Sequence, residues 1–150
     1  PERNFKINLT GYLAPHFIKL IKELNLTPWV ETHPAVPYFE SIKLTQQTDL
    51  LLLIDADYKN SVFFPSKLVE YLATGKPILG LTPEDSATAR ILTETGHQSI
   101  PSGNVTAIKN AVLDLINRYR NGTLTNRPVP PEYNAVTVTQ KLANLFNSLI

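Results

Sequence analysis

A lysine and a glutamate three residues apart, Lys67 and Glu70, lie in the segment FPSKLVEYLATG, residues 64 to 75. The spacing of the apolar residues predicts a helix that begins near Pro65 and ends before Gly75. Side chains at i and i+3 are neighbours on a helix, so one interpretation is a surface ion pair worth about 0.2–0.5 kcal/mol. The predicted buried stripe is Leu68, Val69, Leu72 and Ala73, and the predicted outer side is Lys67, Glu70, Tyr71 and Thr74.

The second interpretation is an anion site at the amino end of the same helix. Backbone N–H groups there, together with Lys67 in the first turn, favour a phosphate. Glu70, one turn further in, is placed to accept both hydroxyls of a ribose, as acidic residues do in other α/β nucleotide sites. The segment PEDSATA predicts another helix start directly after a strand, so the amides around Ser86 and Ala87 form a second anion-ready end.

Phosphate-loop, metal and phospho-acceptor sites are not supported by the sequence. The TGKP segment has Glu70 where a phosphate loop needs a glycine and Pro77 where it needs a serine or threonine. Asp55 and Asp57 follow an apolar strand, but a phospho-acceptor domain needs a further acidic pair, and two carboxylates are a weak metal signal. The chain has no cysteine, and its 3 histidines lack metal-ligand spacing. We therefore expect no metal and no cofactor.

Composition narrows the class of protein further. A net charge of +1 over 150 residues argues against a nucleic-acid binder, which normally presents a basic surface. No apolar run approaches the roughly 20 residues of a membrane-spanning helix, and no signal-peptide pattern opens the chain. We expect a cytoplasmic protein. The chain has no methionine and starts almost directly in a strand, which predicts a piece of a longer protein.

Strands and helices are predicted to alternate along the chain. The predicted strands are residues 5 to 9, 28 to 33, 49 to 55, 77 to 82 and 97 to 101. The predicted helices are residues 14 to 25, 37 to 48, 65 to 74, 84 to 96, 105 to 122 and 135 to 150. This alternation predicts an α/β fold with a doubly wound, Rossmann-like parallel sheet, because parallel strands need crossover connections. Ligands of such sheets bind beyond the carboxyl ends of the strands.

Three segments in order carry a resemblance to a known family: VPYFESIKLTQQTDLLLLI, then FPSKLVEYLATGKPIL, then TGHQSI. Together they resemble the donor-binding half of a retaining family-4 glycosyltransferase with the GT-B fold, over roughly residues 5 to 120. The resemblance implies a donor-binding domain at residues 1–122, a Pro-rich connector at 123–133 and a C-terminal helix at 134–150. In this fold the final helix crosses back onto the N-terminal domain.

The resemblance also implies roles for particular residues. Glu70 matches the glutamate that binds the ribose hydroxyls, and Pro65, Ser66 and Lys67 match the segment that leads the helix into the diphosphate. The stretch from Pro34 to Val36 matches the loop whose backbone recognises the base. A second glutamate of the family would fall at Val62, which is not acidic, so recognition of the sugar at that position is not carried over.

The implied function is hexosyl transfer from a nucleotide diphosphate sugar, such as a UDP-sugar, to an acceptor, without a metal. The family's further central strand, basic pair and N-terminal acceptor domain have no counterpart here, so we expect the isolated chain to be inactive. Expected partners are the sugar nucleotide, that acceptor domain and, to complete the sheet, a second copy. The resemblance is also compatible with peripheral membrane association of the full-length enzyme. The alternatives are a sugar-nucleotide epimerase-like domain and a non-catalytic interaction module.

Overall fold

The structure is a computed structural model that describes residues 5–56, 58 and 61–149. Asp57, one of the two strand-end acids considered above, lies outside the described residues. The chain divides into two compact units, Pro1–Leu44 and Thr45–Ile150, and each is described by itself. The strands are β1 (Ile7–Thr10), β2 (Val30–His33), β3 (Leu51–Ile54), β4 (Ile78–Thr82) and β5 (Gln98–Pro101). The helices are α1 (Pro15–Glu23), α2 (Tyr38–Gln47), α3 (Ser66–Thr74), α4 (Ala87–Glu94), α5 (Val105–Arg120) and α6 (Ala135–Asn147).

The first unit contains one parallel strand pair with a helical crossover. β1 pairs with β2 in a register that places Ile7 beside Val30 and Thr10 beside His33, and α1 connects them. The N–H of Gly11 donates to the carbonyl of His33 at 3.1 Å, so the loops after both strands start side by side. The crossover is the element that a parallel pair requires.

The second unit is a three-stranded parallel sheet in the order β3-β4-β5 with helices on both faces. On one face Leu51, Leu53 and Ile78 pack against α3 and α4 through Leu68, Leu72 and Leu92. On the other face Leu79 packs against Ala111 and Leu115 of α5. The predicted Rossmann-like α/β fold is confirmed, although the described strands form two sheets instead of one.

The packing of α4 on this sheet depends on a glycine in the middle of β4. A Cβ added to Gly80 would lie 2.3 Å from Cδ1 of Leu92, whose side chain is completely buried. Real carbon atoms do not approach so closely, so only glycine lets α4 pack at this distance from the strand. Gly80 therefore sets the position of α4 over the sheet.

The Pro-rich connector belongs to the second unit and packs against its helices. The N–H of Arg127 donates to the carbonyl of Gly75 at 2.6 Å, just after α3 ends. A short 3₁₀ helix, Pro131–Tyr133, follows, and the ring of Tyr133 packs against the cluster formed with α3 and α4. The last helix, α6, contributes no buried residue. None of the helices in the described ranges combines the length and hydrophobicity needed to cross a membrane.

Candidate functional site

The helix that carries Lys67 and Glu70 is α3, and its place is set by two leucines. Leu68 and Leu72 are 0% and 1% exposed and hold α3 against the sheet. Gly75 ends the helix in a left-handed conformation at φ 68°, which glycine adopts without strain. α3 follows β3 and packs back over it, so the start of α3 lies near the carboxyl edge of the sheet, where ligands of α/β proteins bind.

The predicted buried stripe of α3 is correct at its centre and wrong at its margin. Ala73 is exposed, whereas Tyr71 packs against the core cluster. The helix therefore turns Leu68, Tyr71 and Leu72 inward, a set with the i, i+3, i+4 spacing of a helix face. A tyrosine suits this margin because its ring can be covered while its hydroxyl stays near water.

Lys67 and Glu70 form the surface ion pair expected from their spacing. Lys67 Nζ lies 3.3 Å from Glu70 Oε2, and the two side chains are 55% and 36% exposed. An exposed pair of this kind contributes about 0–1 kcal/mol to the free energy of unfolding. Because so little holds the pair together, both side chains can be redirected to a ligand at low cost.

The starts of α3 and α4 differ in how their first-turn amides are satisfied. At α3 no side chain caps the first turn, the N–H of Leu68 donates to the carbonyl of Pro65 at 2.9 Å, and Ser66 is exposed. At α4, Ser86 is 3% exposed and its Oγ accepts from the N–H of Ala89 at 3.0 Å. The N–H of Ala87, the first amide of α4, also donates to the carbonyl of Ser61 at 3.0 Å. An amide that is already bonded is less available to an anion, so the starts of the two helices favour α3 over α4 as the phosphate site.

The residues predicted to read the base lie in the first unit. Pro34 is exposed and Val36 is half-buried, directly after β2. His33 lies 3.4 Å from Asn8 through its Nε2 and the asparagine Oδ1, which ties the ring to the neighbouring strand. The pKa of Glu31 is lowered by its hydrogen bond from Lys6 and by the charge of that lysine. Pro34 and Val36 therefore stand in a different unit from Glu70, Lys67, Ser66, Pro65 and Ser86.

Val62, where the resemblance would place a second glutamate, is 90% exposed. The loop that holds it is attached to α4: the carbonyl of Ser61 accepts from the N–H of Ala87 at 3.0 Å, and that of Phe63 from Thr88 Oγ1 at 3.4 Å. These contacts bring residues 61 to 63 to the start of α4. These residues, the start of α3 and the start of α4 thus share one edge of the second unit.

A groove of about 590 Å³ lies elsewhere in the second unit, beside β5. It is lined by Thr93, His97, Gln98, Ser99, Ile100, Ala107, Asn110, Ala111 and Asp114. None of the residues predicted from the sequence to bind the donor is among them. Within the described ranges, no three acidic or histidine side chains come together in a way that could hold a metal ion.

The fold and the geometry at the start of α3 define a Rossmann-like α/β protein in which, among the described residues, a lysine-bearing helix start without a side-chain cap lies at the carboxyl edge of the sheet. Neither the protein-family models nor the curated proteins compared with the chain give a match.

Proposed function

We propose that this chain is the donor-binding part of a retaining glycosyltransferase that takes a hexosyl group from a nucleotide diphosphate sugar such as a UDP-sugar. The observation that carries the proposal is the uncapped start of α3, which presents Lys67 and Glu70 at the carboxyl edge of a parallel sheet. In this proposal the acceptor binds to another domain of the full-length enzyme. The cytoplasmic location is a prediction from the sequence.

In this proposal α3 stabilises the leaving group. Phosphate oxygens accept from the backbone N–H groups of Ser66 and Lys67, and the ammonium of Lys67 turns from Glu70 to the diphosphate. Glu70, released from the lysine, accepts from both ribose hydroxyls. Fixed donors directed at the charge that develops on the departing diphosphate lower the barrier by preorganised electrostatics.

Calorimetric titration with UDP, GDP and ADP tests the role of Lys67. We expect Lys67→Ala to weaken diphosphate binding about 10- to 100-fold, because a charge-assisted hydrogen bond contributes about 1.5–3 kcal/mol. The matched control is Lys19→Ala, which breaks an exposed pair with Glu23 at 3.5 Å on another helix. Equal affinities for wild type and Lys67→Ala would refute the assignment of Lys67.

A second candidate function is a non-catalytic interaction module, and α6 favours it. Val138, Leu142 and Leu145 recur along one side of this helix and are 46%, 49% and 56% exposed. Exposed apolar residues at helical spacing are typical of a surface that packs against another protein segment. The nucleotide titration separates the two candidates, since a module of this kind has no need to bind UDP, GDP or ADP.

A further inference from the structure

A buried carboxylate that the proposed function does not use lies at the end of β3. Asp55 is 7% exposed, and its N–H donates to the carbonyl of Leu81 at 2.9 Å, which extends the pairing of β3 with β4. Its Oδ1 accepts from the N–H of Ala56 at 2.8 Å. Its Oδ2 is buried and has no hydrogen-bond partner within the described part of the chain. A buried carboxylate oxygen without a donor is costly, and a ligand group that donates a hydrogen bond to it would offset this cost.

The alternation of side chains along β3 places Asp55 on the same face as the donor site. Leu51 and Leu53 belong to the cluster beneath α3 and α4. Side chains two residues apart on a strand point to the same face, so the carboxylate of Asp55 lies on that face too. Because α3 and α4 both begin at the carboxyl edge of the sheet, where β3 ends, Asp55 lies on the sheet beneath their first turns.

The chemistry of the unpartnered oxygen selects the ligand group. A diphosphate is excluded by like charge, and the described residues offer no cluster that could hold a metal ion beside the carboxylate. The remaining donors on a sugar nucleotide are the N–H groups of its base, which the resemblance assigns to Pro34 to Val36, and its neutral hydroxyl groups. Hydroxyl groups donate well to an ionised carboxylate. Glu70 already accounts for the ribose hydroxyls in the proposed function.

We propose that Asp55 Oδ2 accepts a hydrogen bond from a hydroxyl of the transferred sugar, and so helps to determine which sugar nucleotide is bound. The proposal rests on the proposed function, because it needs the diphosphate at the start of α3. Asp55 is then a specificity-determining residue that acts on the sugar and leaves the nucleotide untouched.

Paired titrations separate the two proposals. UDP, GDP and ADP are titrated beside UDP-glucose, GDP-mannose and ADP-glucose into wild type and Asp55→Asn. The asparagine keeps the shape and an oxygen for the N–H of Ala56, but it places an N–H₂ group where the acceptor stood. We expect unchanged affinity for the diphosphates and a loss of about 10- to 100-fold for the sugar nucleotide. The matched control is Asp49→Asn, an exposed acid just before the amino end of β3.

A second measurement uses wild type alone, in case Asp55→Asn does not fold. Deoxy-sugar analogues of the bound sugar nucleotide, each lacking one hydroxyl, should show the same loss at one position of the ring only. If wild type binds a diphosphate but Asp55→Asn keeps the full affinity for the sugar nucleotide, or if every deoxy analogue binds as the parent does, the role of Asp55 is refuted. If wild type binds none of the diphosphates, the proposed function fails and the role of Asp55 fails with it.

Discussion

Acid should destabilise the second unit through His97. Burial, and to a lesser degree the charge of Arg127, lowers the pKa of His97 to about 4 from 6.5. The ring accepts a hydrogen bond at Nδ1 from the N–H of Ile78 at 3.3 Å, which requires that nitrogen to be unprotonated. Protonation would break this bond at the start of β4 and place a positive ring beside Arg127.

The sign and size of the effect follow from linkage. The pKa is lower in the folded chain than in the unfolded chain, so the unfolded chain binds more protons between pH 4 and 6.5. The contribution of neutral His97 to the free energy of unfolding is therefore complete above pH 6.5 and is lost as the pH falls toward 4. A shift of this size corresponds to at most about 3 kcal/mol. Because the ring is only half-buried, solvent screening reduces this to about 1–2 kcal/mol.

Urea unfolding followed by far-ultraviolet circular dichroism, at several pH values between 7.5 and 4.5, measures this contribution. Carboxylates titrate in the same range, so the informative quantity is the difference between wild type and His97→Asn, which keeps an acceptor but cannot be protonated. We expect wild type to lose about 1–2 kcal/mol more than His97→Asn as pH falls. His16→Asn, at an exposed position, is the control and should follow wild type. Identical pH profiles for wild type and His97→Asn would refute the reasoning.

Two glycines give further predictions, both measured by urea unfolding. Gly80→Ala should lower the free energy of unfolding by about 1–3 kcal/mol, because its Cβ would lie 2.3 Å from Leu92 Cδ1. Combining it with Leu92→Ala should cost less than the two changes summed, and strict additivity would contradict the contact. An alanine in the left-handed conformation lowers the free energy of unfolding by about 1–2 kcal/mol. Gly75→Ala should lower it by more than this, because its Cβ would also lie 2.8 Å from the carbonyl oxygen of Arg127. The control is Gly122→Ala, at φ 66° with no neighbour within 4 Å. If both changes lower the free energy of unfolding equally, the contact with Arg127 contributes nothing and the prediction is wrong.

The order of strands and helices could be predicted from the sequence because local patterns encode it. The continuous apolar run before Asp55, the glycine after α3 and the amphipathic spacing of α5 each mark an element without reference to the rest of the chain. The parallel pairing followed from the crossovers. The division into two sheets could not be predicted, since strand pairing depends on hydrogen bonds between distant segments.

The candidate site was predictable in outline only. The Lys67–Glu70 pair follows from helical spacing, and the structure contains it at 3.3 Å. The inward ring of Tyr71 was missed because hydropathy ranks alanine above tyrosine, whereas packing favours the larger side chain where space allows. The buried Oδ2 of Asp55 was also missed, since a strand-end acid in sequence gives no sign of its burial.

The proposed function is tested most directly by titrating UDP, GDP and ADP into wild type and Glu70→Ala. We predict that wild type binds one of these nucleotides and that Glu70→Ala loses about tenfold or more, because two ribose hydroxyls lose their common acceptor. Glu23→Ala, which removes an equivalent glutamate from the exposed pair on α1, should bind as wild type does. Absence of binding to wild type, or equal binding by Glu70→Ala, would contradict a nucleotide-sugar site at the start of α3.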